Sequence, residues 1–173
     1  MAFLYPVFLD LADIPVLLVG GGQIASRKAD GLLSAGARLT VVAPMVLPDL
    51  RESAAEVRAR GYEAADLVGH QLVITATDSP AVNAQVANDA RAAGVWVNSA
   101  DDPENCSFIL PAIARRGPLI AALSTGGASP ALAGRLRDQI ASTVLTPAAH
   151  AAAIELARQR AEIHAAGGST ELV

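Results

Sequence analysis

Ile14-Pro15-Val16-Leu17-Leu18-Val19-Gly20-Gly21-Gly22-Gln23-Ile24-Ala25 is the stretch on which the fold turns. An apolar run over residues 14–19 breaks into glycines and then into residues 23–35, whose apolar positions recur at helical spacing. That order reads as strand, tight turn, helix. Gly20 to Ala25 matches the G-x-G-x-x-A form of the dinucleotide fingerprint, and it lies between a first strand and a first helix, where the mechanism requires it. Gly20 permits the turn and Gly22 lets a pyrophosphate approach the backbone. Small Ala25 lets helix and strand pack closely, with helix N–H groups facing the phosphates. The bland alternative is a bare strand-to-helix turn in another α/β protein, and the placement of the motif weighs against it.

Outward from this turn, Gly36 is followed by a second apolar run over residues 38–42, stopped by Ala43-Pro44 at a distance that suits a parallel βαβ crossover. Residues 50–60 carry little pattern, with 57–59 a brief third strand. Residues 72–76 (LVITA) read as a buried strand. Ser79-Pro80 then supplies an N-cap and a first-turn proline for a helix to about 93, which Gly94 ends. Residues 95–98 make the next strand, and runs over 108–114 and 119–123 flank Arg115-Arg116-Gly117-Pro118 like the arms of a hairpin. Ser129-Pro130 opens a helix over 131–144, and Pro147 a second one to about 165. The expected architecture is α/β: a Rossmann-type doubly wound parallel sheet over residues 1–124, followed by a small, mainly helical segment over 125–173. The two late helices carry apolar stripes without room over that sheet, so they are expected to pack on each other or on a second subunit.

The chain has 173 residues, 52% hydrophobic and 17% charged, with a formal net charge of -4. That charge gives no general attraction for nucleic acid or an anionic membrane, so an anionic small molecule must be held by local groups. Cys106 is the one cysteine, which rules out an intrachain disulfide and a thiolate metal cluster, and a cytoplasmic setting is the expectation. The N-terminal MAFLYPVFLDL lacks the basic start of a signal peptide, and no apolar run reaches the roughly 18 to 20 residues of a membrane span. His70, His150 and His164 show no metal-ligand spacing, and Trp96, inside a strand, reads as core.

In an open parallel sheet, ligands gather beyond the carboxyl ends of the strands. Those ends are polar here: Gly20 to Gln23, Thr77-Asp78-Ser79, Asn98 to Asp102, and Ser124-Thr125-Gly126-Gly127. The acid that normally binds the ribose hydroxyls after the second strand is missing, since Val42-Ala43-Pro44-Met45 stands there, so backbone contacts from Pro44 and Met45 must replace it. Asp101 and Asp102 are the candidates for acid–base work, because a carboxylate beside a nicotinamide can take a proton as the cofactor takes hydride; spacing does not choose between them. Residues 124–129 (STGGAS) enter a helix at Pro130, where hydroxyls, backbone N–H groups and the dipole suit a carboxylate, although an ordinary capped loop reads the same way. Arg27, Lys28, Arg115, Arg116, Arg135 and Arg137 are further cations that could meet substrate carboxylates, and solvated surface positions are their commoner fate.

Three blocks in order, GGGQIASRKADGLLSAGARLTVVAP, TATDSPAVNAQV and VNSADDPENCSFILPAIARRGPLIAALSTGGASPALAGRLRDQI, resemble the precorrin-2 dehydrogenase and sirohydrochlorin ferrochelatase family, the N-terminal module of sirohaem synthase. The resemblance covers residues 5–140. It implies NAD-dependent oxidation of precorrin-2 to sirohydrochlorin, followed in some members by insertion of ferrous iron, with cobaltous ion a related substrate. It places the catalytic carboxylate, and any transient metal contact, on Asp101. It places nucleotide contacts on Gln23, Ile24, Pro44 and Met45 beside Gly20 and Gly22, with Thr77 at a further strand end. The tetrapyrrole is expected near Asn98, Ser124, Thr125, Gly126, Gly127 and Ser129, with Thr125 at a hydroxyl that some members phosphorylate. The family is dimeric, so a homodimer is expected, and it usually carries a longer helical portion than the stretch after Ile140. The competing class is a dinucleotide-sensing binding module without turnover.

Overall fold

The computed structural model describes residues 4–100 and 102–168. The chain divides into two compact units, one over Tyr5–Leu110 and one from Pro111 onward. In the first, β1 (Pro15–Val19), α1 (Gln23–Ser34), β2 (Arg38–Val42), α2 (Pro48–Ser53), β3 (Glu56–Arg58), β4 (Leu72–Thr75), α3 (Pro80–Ala93) and β5 (Trp96–Ser99) follow one another, with 3-10 turns at Ala64–Leu67 and Pro103–Asn105. Their sheet is parallel throughout, in the order β3-β2-β1-β4-β5. The order reverses at β1, which pairs Val19 with Val42 on one side and with Thr75 on the other. A crevice for ligand therefore belongs beyond the ends of β1 and β4.

The continuous apolar run of β1 is explained by burial on both faces. Val16 and Leu18 pack with Leu39, Val41 and Ile74 under Ala25, Ala29 and Leu32 of α1. Leu17 and Val19 face Val86, Ala87 and Ala90 of α3 on the opposite side. Alanines at the contacts let both helices approach the sheet. The α3 start is set as its sequence implies, with the Ser79 hydroxyl accepting from the Val82 N–H and Pro80 in the first turn, and Gly94 closes the helix at φ +70°.

Trp96 departs from the core position expected of it and is 51% exposed. It is the first residue of an edge strand, with a neighbouring strand on one side only. The outer edge of β5 is closed by the chain doubling back. The Ser107 N–H donates to the Val97 carbonyl at 2.7 Å and the Val97 N–H to the Ser107 hydroxyl at 3.3 Å. The Ser99 N–H donates to the Cys106 sulfur at 3.2 Å. An edge that would otherwise offer bare N–H and C=O groups is thereby covered.

The second unit opens with an antiparallel hairpin, β6 (Ala112–Arg116) and β7 (Leu119–Leu123), turned at Gly117-Pro118. α4 (Pro130–Thr143) packs on both strands, and α5 (Pro147–Ala165) follows at a bend of 70°. The expected division after residue 124 falls instead after Leu110, because the hairpin forms its own two-stranded sheet and carries α4 rather than extending the parallel one. α4 buries Ala133 and, among the described residues, α5 buries none, while Leu132, Val144, Ile154 and Leu156 stand exposed. Among the described residues no single helix is long and apolar enough to cross a membrane.

Candidate functional site

The glycine turn is gripped from two sides. A Cβ on Gly20, whose φ is +131°, would overlap the Ala76 carbonyl at the end of β4. A Cβ on Gly21 would overlap the Met45 carbonyl in the segment after β2, and the Leu47 N–H donates to the Gly21 carbonyl at 2.9 Å. Gly22, at the N-cap of α1, meets nothing: the space where its Cβ would stand is open, and no side chain caps the helix. A helix start with open approach and no capping side chain leaves first-turn amides and the positive dipole end for a phosphate. The residues therefore fit a dinucleotide pyrophosphate. Ile24, Pro44 and Met45 are exposed on either side of this opening.

Beside the end of β2, Arg58 and Arg60 converge on one carboxylate. Asp66 is 1% exposed and accepts from Arg58 at 2.7 Å, from Arg60 at 2.7 and 2.8 Å, and from the Glu63 N–H at 2.9 Å. Burial alone would raise the Asp66 pKa, but the hydrogen bonds from Arg60, the Glu63 backbone and Arg58 outweigh it and hold the carboxyl at about 2. Both guanidinium groups are thus committed within the fold.

Thr77 sits at the end of β4, as expected, but its polar atoms are turned inward. Its hydroxyl lies 2.8 Å from Asn83 Oδ1 and accepts from the Ser79 N–H at 3.2 Å, and its carbonyl accepts from Asn83 Nδ2 at 3.0 Å. Asn83 Oδ1 also accepts from the Thr75 hydroxyl and, at 3.3 Å, from the Thr77 N–H. Sequence reasoning did not single out Asn83. The available signal was its spacing: Asn83 shares one helical face with Val86, Ala87 and Ala90, so a polar amide stands where the pattern calls for an apolar residue.

At the end of β5, a cavity of about 170 Å³ is lined by residues including Lys28, Asn98, Ser99, Ala100, Asp102 and Cys106. Asp101 lies outside the described residues, while Ala100 and Asp102 on either side of it both line this space. A wider depression of about 500 Å³ shares Lys28 and Ala100 and adds Ile24 and Arg27 of α1. The acidic turn is stapled internally. The Cys106 sulfur lies 3.3 Å from the carbonyls of both Ser99 and Asp102, and Asn105 Nδ2 donates to Asp102 Oδ2 at 2.6 Å. Asn98 is buried and its Nδ2 donates to the Phe108 carbonyl at 3.0 Å, so its amide holds the returning chain.

In the second unit, residues 124–129 form a tightly bonded loop at the start of α4. The Gly126 N–H donates to the Ser124 hydroxyl at 3.0 Å, the Ser129 N–H to the Thr125 hydroxyl at 3.1 Å, and the Leu132 N–H to the Ser129 hydroxyl at 3.2 Å. Gly126 and Gly127 take φ values of +62° and +85°. Arg115 and Arg116 lie on β6, and Arg137 pairs with adjacent Asp138 at 2.7 Å.

Residues 7–112 match a family described as putative NAD(P)-binding, and residues 116–143 match the sirohaem biosynthesis protein central family. A siroheme synthase of Pseudomonas putida (strain W619) is 52% identical over 139 residues, 78% of this chain and 30% of its own length. One of Azotobacter vinelandii is 46% identical over 163 residues, 91% of this chain and 35% of its own. The chain thus spans about a third of the length of these relatives. The solved structure of SirC, a precorrin-2 dehydrogenase, superposes with a TM-score of 0.77 at 32% identity, covering 93% of this chain and 81% of that one.

Proposed function

Because the chain belongs to the family of NAD(P)-binding sirohaem-biosynthesis proteins that includes precorrin-2 dehydrogenase, we propose that it oxidises precorrin-2 to sirohydrochlorin with NAD. One observation carries the reading. The cavity flanked by the two neighbours of Asp101 shares Lys28 and Ala100 with a depression lined by Ile24 and Arg27, so the first turns of α1, which follow the glycines directly, and the acidic turn open onto adjoining space.

NAD, when bound, supplies the acceptor for the hydride that leaves the macrocycle. The glycine turn and the α1 amides hold its pyrophosphate, with Gly20, Gly22, Gln23 and Ile24 on one side and the backbone of Pro44 and Met45 on the other. Oxidation also releases a proton, and Asp101 is the base that takes it, worth about 10² to 10⁴ in rate for a positioned group. The family resemblance assigns the substrate to the loop of Ser124, Thr125, Gly126, Gly127 and Ser129, whose hydroxyls and amides suit carboxylates.

NAD is favoured over NADP by the state of the arginines. A 2′-phosphate at the end of β2 would need a guanidinium, and Arg58 and Arg60 are both spent on Asp66. Metal insertion, with ferrous or cobaltous ion as substrate, requires the loss of pyrrole N–H protons, and the same carboxylate serves that step. Exposed Leu132, Val144, Ile154 and Leu156 suit the surface of a homodimer, and a single cysteine suits a reducing, cytoplasmic setting.

The test is anaerobic incubation of precorrin-2 with NAD or NADP, followed by absorbance, with ferrous or cobaltous ion added in parallel. Conversion with NAD at least tenfold faster than with NADP is expected. Tight NAD binding without conversion would establish the sensing module instead.

A further inference from the structure

We propose that Asn83 is the positioning residue of the cofactor crevice, fixing the wall that the end of β4 presents to the glycine turn. The proposal deepens the dinucleotide reading above and rests on it. Burying an amide is costly unless its donors and acceptor are all used, and a valine or leucine on the same face of α3 would join the core without that cost. Asn83 is 7% exposed, and its side chain reaches both Thr75 and Thr77, by hydroxyl on each and by the backbone N–H and carbonyl of Thr77. These two residues bracket Ala76. The Ala76 carbonyl is the atom that a side chain on Gly20 would strike, so the bonds from Asn83 set how closely the end of β4 stands against the turn that receives the pyrophosphate.

The strand order reverses at β1, and a dinucleotide would cross an open α/β sheet at that switch point, its adenosine half then lying on the β2 side and its nicotinamide half on the β4 side. Thr77, expected among the cofactor contacts at this strand end, spends its hydroxyl on Asn83 and the Ser79 N–H. Its part in binding is therefore carried by the shape of the turn, which Asn83 dictates from the far side of the helix start.

Asn83→Ala separates this role from a general loss of packing, because the two halves of the cofactor report on different ends of the crevice. Dissociation constants for NAD and for AMP are measured by titration on wild type and variant, below the melting temperature of both. Asn83→Ala is expected to weaken NAD by about tenfold and to leave AMP within twofold, with Asn83→Asp between wild type and Ala because it keeps the acceptor and loses the donor to the Thr77 carbonyl. Thr77→Val, which removes one hydroxyl without emptying the position, takes the place of Asn83→Ala if that variant does not fold and is expected to shift NAD alone. Equal weakening of NAD and AMP, or no change in either, overturns the assignment. Wild-type protein that binds AMP and not NAD would remove the dinucleotide reading and this assignment with it.

Discussion

At Gly20 the backbone and its surroundings impose the same demand. A φ of +131° is strained for any residue with a side chain, and the Ala76 carbonyl occupies the place of a Cβ. Gly20→Ala should therefore lower stability by roughly 1 kcal/mol or more and weaken NAD by more than tenfold, as read from thermal unfolding and titration; unchanged values in both would contradict the role given to the turn. Gly20 and Gly22 were legible in the sequence because a short motif between strand and helix carries its own geometry. Asn83 was not, since one polar residue in an amphipathic helix looks the same whether it faces solvent or pins a strand end. Nor was the contact of Cys106, whose sulfur lies against the carbonyls of Ser99 and Asp102, because it depends on the chain returning along β5.

Elements were more readable than their partners. Ser79-Pro80 and Ser129-Pro130 each open a helix with the capping hydroxyl in place, because a cap and its helix are neighbours in sequence, and Pro147 opens the last one under a Thr146 cap that the structure adds. Ser79→Ala removes the cap of α3 and should cost about 1 kcal/mol, seen as a lower denaturation midpoint; no shift would mean that the turn held by Asn83 suffices to start the helix. The hairpin arms were equally visible, yet nothing local says which sheet a strand joins. The pairing of Arg116 with Leu119 is a local matter, whereas the separation of β6 and β7 from the parallel sheet is decided by α4 packing on them. Trp96 failed as a core residue for a related reason: strand periodicity does not mark which strand lies at the edge.

For the whole molecule, the charge buried beside β3 sets a dependence on acidity. Asp66 holds its proton less tightly in the folded chain than in the unfolded one, about 2 against 3.8, so its contribution is complete above about pH 4 and disappears as pH falls toward 2. The size is about 2 kcal/mol. Burial, and then the nearby charge of Arg58, lower the pKa of His70, so protonation favours the unfolded chain and stability is also lost below the ordinary histidine range. Urea denaturation between pH 7 and pH 3 should show both losses in wild type and a flatter profile in Asp66→Asn; parallel profiles would contradict the part assigned to that carboxylate. The acid proposed for catalysis is a different one, Asp101, which the family resemblance, and not spacing, sets apart from Asp102. The most direct test is the anaerobic conversion of precorrin-2 with NAD by wild type, Asp101→Ala and Asp102→Ala, with NAD affinity measured alongside. Asp101→Ala should lose at least about 100-fold in kcat with NAD affinity within twofold, and Asp102→Ala should stay close to wild type; full turnover by Asp101→Ala, or none by wild type, would contradict it.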